Sequence, residues 1–196
     1  MTEKVAIVTG AARGIGLATT KLLIGKGISV AMVDRDATEL TEANSQLQGN
    51  TLTLALDVSV PGDVDQILGE TIKRFGQLDT LINNAGVADF GPIEETSFER
   101  WRTVMATNLD GVFLCSQAAT PHLKKTSGSI VNIASISGLR ASTLRVAYGT
   151  SKAAVSQLTQ QQAVELGEYG IRANCVAPGP VRTKLAMAVH LSLIHI

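Results

Sequence analysis

Short, β-branched apolar runs alternate with longer amphipathic stretches along this chain. The runs are VAIVT (5–9), ISVAMV (28–33), TLTLAL (51–56), DTLIN (79–83), SIVNIA (129–134) and RANCVA (172–177). They predict six strands. Each is too uniformly apolar for a sheet with one wet face, and the intervals between them are long enough for crossover helices. The pattern therefore predicts an α/β fold, a doubly wound parallel sheet covered on both faces. Helices are readable between the runs, from Ile15 to Lys26 closed by Gly27, and from Ala147 to Glu168 closed by Gly170. No repeat, low-complexity tract or Pro/Ser-rich linker interrupts the alternation, so one domain is expected over 1–190.

Composition narrows the function. The 196 residues are 45% apolar, enough for one sizeable core. Seventeen basic and seventeen acidic residues cancel, leaving no global field to attract nucleic acid or an anionic membrane. The start MTEKVAIVTG lacks the basic flank and apolar length of a secretory signal, and no apolar run reaches membrane-spanning length. Cys115 and Cys175 lie sixty positions apart, and the three histidines form no zinc-ligand spacing. The expectation is a reduced, cytoplasmic protein with no metal, no nucleic acid and no membrane partner, acting on a small molecule.

Candidate chemistry begins directly after the first run. Thr9-Gly10-Ala11-Ala12-Arg13-Gly14-Ile15-Gly16 is a glycine-rich turn that opens a helix. Glycines there permit a tight turn and close approach of a pyrophosphate, and the helix N-terminus offers free N–H groups. The spacing is GxxxGxG, which departs from the GxGxxG fingerprint, so the turn needs support from its surroundings. Asp34 ends the second run eighteen residues after Gly16, where a carboxylate would accept hydrogen bonds from ribose hydroxyls and disfavour a 2′-phosphate. NAD is thus expected before NADP, although Arg13 and Arg35 offer guanidinium forks that would offset the repulsion. The competing reading makes Asp34 and Asp36 turn residues and the glycines a simple strand-to-helix connection.

Tyr148-Gly149-Thr150-Ser151-Lys152 forms YxxxK, with Ser135 thirteen positions before the tyrosine. Together with the Thr9 to Gly16 turn, Asp57-Val58, Asn83-Asn84-Ala85-Gly86, Asn108 and Pro178-Gly179-Pro180-Val181-Arg182-Thr183, this pattern resembles the short-chain dehydrogenase/reductase family over residues 4 to about 183. The resemblance implies a Rossmann-like sheet and an oxidoreductase moving a hydride between NAD(H) and a secondary alcohol or its ketone. Tyr148 would be the general acid/base, Lys152 would bind the nicotinamide ribose and favour the phenolate, and Ser135 would hydrogen-bond the substrate oxygen. Asn108 would hold a water linking Lys152 to solvent.

Physical chemistry agrees with that assignment. Tyrosine and lysine at i and i+4 stand on one helix face. A phenol with a pKa of about 10 is a poor base near neutrality, and lowering such a value by about three units takes roughly 4 kcal/mol. One ammonium about 4 Å away, at an effective dielectric of about 20, supplies a Coulomb energy of that size. Ser137 competes with Ser135 for the polarising role, but the family offset to the tyrosine selects Ser135. Trp101, Phe98 and Phe90 read as core or rim near a substrate entrance, and His122 as solvated.

For the cofactor, the resemblance implies that Gly10, Arg13, Gly14, Ile15 and Gly16 cradle the pyrophosphate and that Asp34 and Arg35 face the adenosine ribose. Asp57 would meet the adenine amino group with the Val58 backbone beside the ring, or else Asp57 is a strand-end cap. Asn84, Ala85 and Gly86 would line the ribose side or steady the sheet. Pro178, Gly179, Val181 and Thr183 would border the nicotinamide carboxamide and the pyrophosphate.

After Thr183 the family continues through a substrate loop, a helix and a seventh edge strand, whereas this sequence stops at Ile196. Leu191 to Ile196 resemble translated read-through of a sequencing adaptor, so a C-terminally truncated chain with a non-native tail over 191–196 is expected. Loss of the final strand would expose the sixth around Cys175 and Val176. Homodimers or homotetramers through the helices near Trp101 to Lys124 and Ala147 to Glu168 are implied, weakened by truncation. Competing functions are an NADPH-dependent 3-oxoacyl-carrier-protein reductase and a cofactor-binding protein without turnover; a sugar-nucleotide epimerase fits the glycine spacing less well.

Overall fold

A computed structural model of the chain describes residues 3–183. The expected tail over 191–196 lies outside them. Six parallel strands form one sheet: β1 (Val5–Thr9), β2 (Ser29–Val33), β3 (Thr51–Leu54), β4 (Thr80–Asn83), β5 (Ser129–Ile133) and β6 (Arg172–Val176), in the order β3-β2-β1-β4-β5-β6. This is the Rossmann order, in which the direction of winding reverses between β1 and β4. The crevice beyond the C-terminal ends of those two strands is where the fold leaves room for a ligand.

Uniform apolarity in the first two strands follows from two cores, one on each face. Successive side chains of a strand point to opposite faces. Accordingly Ile7, Ala31 and Val33 join Leu81, Ile130, Ile67 and Leu123 in one buried cluster, while their neighbours Val8, Val30 and Met32 join Leu40, Ala43 and Ile82 in the other. Full burial of an aliphatic side chain of this size contributes about 1.5–3 kcal/mol. The first core is roofed by α3 (Pro61–Phe75) and α5 (Gly111–Thr126), and the second by α1 (Gly14–Gly25) and α2 (Ala37–Ser45). Proline at the first turn of α3 and left-handed Gly76 at its end mark a helix with clear start and stop signals.

The sixth strand lacks the two-sided burial of the first two and is exposed around Cys175 and Val176, where the sequence predicts exposure. Arg172, Asn174, Cys175 and Val176 are exposed, because β6 borders no further strand among the described residues. The helix read over 147–168 is α7 (Val146–Leu166) followed by a 3₁₀ turn (Gly167–Tyr169), which Gly170 closes in the left-handed region. The stretch around Trp101 to Lys124 is α4 (Phe98–Met105) continuing into α5 through a π-helical turn, Ala106–Asp110. Such one-turn bulges re-aim a few side chains without ending the helix. Here the buried Asn108 lies within it.

Candidate functional site

Two cavities meet at the reversal point, sharing Ile15, Asn84, Gly86 and Thr183. The first is walled by the glycine turn, Asp34, Arg35, Asp57, Val58 and Ala85. The second is walled by Ser135, Tyr148, Lys152, Pro178, Gly179 and Val181. Of the catalytic and cofactor-binding residues expected from the sequence, only Gly16 and Asn108 line neither cavity.

Gly16 acts from beneath. A Cβ at this position would stand 2.1 Å from the carbonyl oxygen of Gly10, so no side chain fits between helix and turn. Gly10 and Gly14 have φ of +64° and +55°, and a Cβ on Gly10 would lie 2.9 Å from Cα of Ala85. The turn is braced from β4. Asn84 Nδ2 donates to the carbonyls of Thr9 and Gly10 at 2.9 and 3.1 Å, and Thr9 Oγ1 accepts from the backbone N–H groups of Asn84 and Ala85. Asn84 therefore steadies the turn while bordering both cavities.

This cradle fits a dinucleotide. No side chain caps the N-terminus of α1 and its first turn holds no acid, which leaves donors and the positive end of the helix dipole beside Gly14 and Ile15. Asp34 sits at the end of β2, its Oδ2 accepting from Ala12 N at 3.2 Å and its Oδ1 from Asp36 N at 3.1 Å. Each oxygen retains capacity for another donor. Asp57 divides its two roles: Oδ1 accepts from the backbone and hydroxyl of Ser59, as a strand-end cap does, while Oδ2 faces Arg35 at 3.9 Å. Arg13 pairs with Glu39 and approaches Asp36. Both guanidiniums of this cavity thus face carboxylates.

In the second cavity the chemistry rests on side chains. Ser135 caps the short helix α6 (Ile136–Leu139), its Oγ accepting from Ser137 N at 3.1 Å. That bond leaves the hydroxyl proton free to point elsewhere. Tyr148 occupies the first turn of α7, its ring 6.4 Å from that of Phe90. One turn on, Lys152 is 4% exposed and donates to the carbonyl of Ile133 at 2.7 Å, with its nitrogen 6.0 Å from the Tyr148 ring. Burial pushes its ammonium down to about 8, against a smaller opposing influence of Cys175.

Asn108 braces this arrangement. Its Oδ1 accepts from Val87 N at 2.8 Å, and its Nδ2 donates to Val87 O and to Ser151 Oγ. Three of the four hydrogen bonds open to the amide are thereby made within the protein.

Sequence reasoning missed two features. Arg145 and Ile136 line the second cavity, beside Phe90, which the sequence places at the core or rim near a substrate entrance. Phe98, by contrast, is exposed and lines neither cavity. The second feature is a buried amide network. Asn83 Nδ2 donates to Asn132 Oδ1 and Ser116 Oγ, and Asn132 Nδ2 donates to Thr159 Oγ1 and Gln162 Oε1. It ties β4 and β5 to α5 and to the helix that carries Tyr148 and Lys152. The signal was present as an asparagine in each of two apolar runs, at positions that pair in the sheet. Among the described residues no His/Cys/Asp/Glu cluster could hold a metal, and no helix is long and apolar enough to cross a membrane.

The profile of the short chain dehydrogenases matches residues 4–192. The chain belongs to that family. It is 38% identical over 185 residues to a meso-2,3-butanediol dehydrogenase of Serratia marcescens, covering 93% of this chain and 73% of that one. Levodione reductase superposes with a TM-score of 0.94 at 32% identity, over 98% of this chain and 78% of its own. A 3-ketoacyl-(acyl-carrier-protein) reductase from Brucella melitensis, complexed with NADH, superposes at 0.92 with 29% identity, over 95% and 80%. This short chain dehydrogenase is accordingly an NAD(P)-dependent oxidoreductase acting on CH–OH groups and their ketones.

Proposed function

We propose that the chain interconverts a secondary alcohol and its ketone with NAD(H), using Tyr148 as the general acid/base. The observation that carries this reading is the continuity of the two cavities, which puts Tyr148, Ser135 and Lys152 beside a backbone cradle with no space for a Cβ at Gly16. When bound, the nicotinamide accepts the hydride from the carbinol carbon or returns it to the carbonyl carbon.

Each protein group has a task that its environment supports. In oxidation the Tyr148 oxygen takes the carbinol proton, and in reduction it gives that proton back. Ser135 donates its hydroxyl proton to the substrate oxygen, since its own lone pair is engaged by Ser137 N. The ammonium of Lys152 would hold the nicotinamide ribose and favour the phenolate. Asn108 steadies the Val87 segment and Ser151, and the remaining acceptor capacity of its amide oxygen would hold the water.

Asp34 supports NAD(H) over NADP(H). Its carboxylate would repel a 2′-phosphate, and the nearby cations that would relieve the repulsion face Glu39, Asp36 and Asp57. Thr183, whose Cγ2 lies 3.2 Å from the Cβ position of Gly14, would border the pyrophosphate, and Val181 the carboxamide. A reducing cytoplasm suits the unpaired Cys115 and Cys175. Exposed Phe98, Phe113 and Val164 support homo-oligomers through α4, α5 and α7.

Titrating the protein with NADH and NADPH, followed by cofactor fluorescence and energy transfer from Trp101, tests the cofactor reading. Saturable binding that favours NADH, with turnover of secondary alcohols, is the expected result. NADPH preference would select the 3-oxoacyl-carrier-protein reductase reading, and binding without hydride transfer would leave a cofactor-binding protein.

A further inference from the structure

The two cavities differ in charge. The first sets Asp34 and Asp57 against Arg13 and Arg35, whereas the described residues lining the second include Arg145 and Lys152 and no carboxylate. Lys152 is buried against the Ile133 carbonyl. Arg145 is half-buried, and none of the ion pairs among the described residues involves it. Among the described residues its guanidinium makes one hydrogen bond, from Nη1 to the neutral hydroxyl of Ser137 at 3.0 Å, and stands 5.4 Å from the centroid of Phe90. The other donors of the planar fork have no partner among the described residues.

The fork is also held in position. Leu144, just before it, has φ of +61°, a region bulky residues rarely adopt, and its carbonyl accepts from Gly91 N at 3.1 Å. The Arg145 carbonyl accepts from Gly149 N at 2.7 Å. The loop that carries Phe90 is fixed in turn by Arg100, which bonds Asp89 and the Phe90 carbonyl. Arg145 and Tyr148 are i and i+3 across the start of α7, a spacing that sets side chains about 5–6 Å apart at Cβ on one face.

From these observations we infer that Arg145 is a specificity residue that binds a carboxylate of the substrate, so that the alcohol oxidised is a short hydroxy acid. The substrate's carboxylate meets the fork while its carbinol oxygen meets Tyr148 and Ser135. Carboxylate geometry suits a guanidinium because two parallel N–H···O bonds form at once. The Phe90 ring flanks the fork and excludes water from that contact. This inference rests on the alcohol dehydrogenase reading, which supplies the reaction at Tyr148.

The test compares two oxo acids of different length, acetoacetate and levulinate, with their methyl esters, in the parent, Arg145→Met and Arg145→Lys. The parent should prefer one acid over its ester. Arg145→Met should lose about 100-fold in kcat/KM on that acid, the scale of a charge-assisted bidentate contact. On the ester it should stay within about threefold, and Arg145→Lys should regain part of the loss because it keeps the charge without the fork. Equal loss on acid and ester would overturn the inference, as would a parent that favours the esters. Binding of each acid to the protein with NADH, followed by cofactor fluorescence, separates the two claims. Saturable binding that requires Arg145 without any hydride transfer would sustain the carboxylate site and reject the catalytic reading, whereas acids that never bind saturably would reject the site itself.

Discussion

The adenosine-side cavity and the catalytic cavity share four residues yet are built from different material. The first is mainly backbone: a turn with two left-handed glycines, the uncapped start of α1, and Asn84 and Thr9 bracing both. The second depends on side chains, Ser135, Tyr148, Lys152 and Arg145, projected from two helix starts. A backbone cradle recognises what is common to every turnover, because phosphate is bound by N–H groups that any residue supplies. A side-chain cavity can change its substrate by exchanging one residue. Damage to the first should therefore appear as lost affinity for the cofactor, and damage to the second as lost turnover or altered choice of substrate.

The sharpest test of that division is Tyr148→Phe. Removing the hydroxyl but keeping the ring should lower kcat by about 10³-fold, within the range for a positioned acid/base. NADH affinity should stay within about twofold on the same titration. Retained turnover would remove Tyr148 from the acid/base role. Gly16→Ala should do the opposite. A methyl 2.1 Å from the Gly10 carbonyl must displace the turn, and NADH binding should weaken by about 100-fold. Unchanged affinity would show that the cradle tolerates movement and that the contrast is overstated.

Lys152 links both cavities, and its burial makes a prediction about stability. Its folded value of about 8 lies below the ordinary 10.5, so the cost of burying the charge is fully present below pH 8 and fades as pH rises to 10.5. That cost is on the order of 3 kcal/mol. Cys115, pushed up to about 12 by desolvation, acts in the opposite sense above pH 9, because only the unfolded thiol ionises there. The contribution of Lys152 is thus read as the difference between parent and Lys152→Met in urea unfolding at pH 7.5 and 10. The variant should be the more stable at the lower pH, with the gap closing at the higher. A gap independent of pH would contradict the buried ammonium. Smallest of the four, Asp34→Ala should narrow the ratio of NADH to NADPH affinity by about tenfold, the scale of one charge contact at a partly wetted site. An unchanged ratio would place cofactor choice elsewhere.

Much of the fold was legible because its signals are local. A parallel sheet covered on both faces needs strands apolar at every position, and the first two runs show this. Gly27 and Gly170 closed helices where they were read, since both sit at positive φ after a helical segment. The edge strand was legible only in part: RANCVA has the apolar pattern of a covered strand, while its exposure around Cys175 and Val176 depends on what lies beside it. Asn83 and Asn132 were also hidden. An asparagine within an apolar run looks like an interruption until the sheet sets the two side by side and brings Gln162 and Thr159 of α7 within reach.

The sequence by itself determined which residues could do chemistry. YxxxK places tyrosine and lysine on one face of any helix, and Gly10, Gly14 and Gly16 mark backbone positions where only glycine is comfortable. Those statements involve neighbours within a turn or two, so chain connectivity suffices. Only the tertiary structure decided how the groups are committed. It joined Arg13 to Glu39 across 26 residues, Asn108 to Val87 across 21, and set Arg145 between Ser137 and Phe90 with no carboxylate partner among the described residues. Charge pairing, burial and the direction of a hydrogen bond are set by distance through space, and the winding of the sheet fixes that distance where separation along the chain does not.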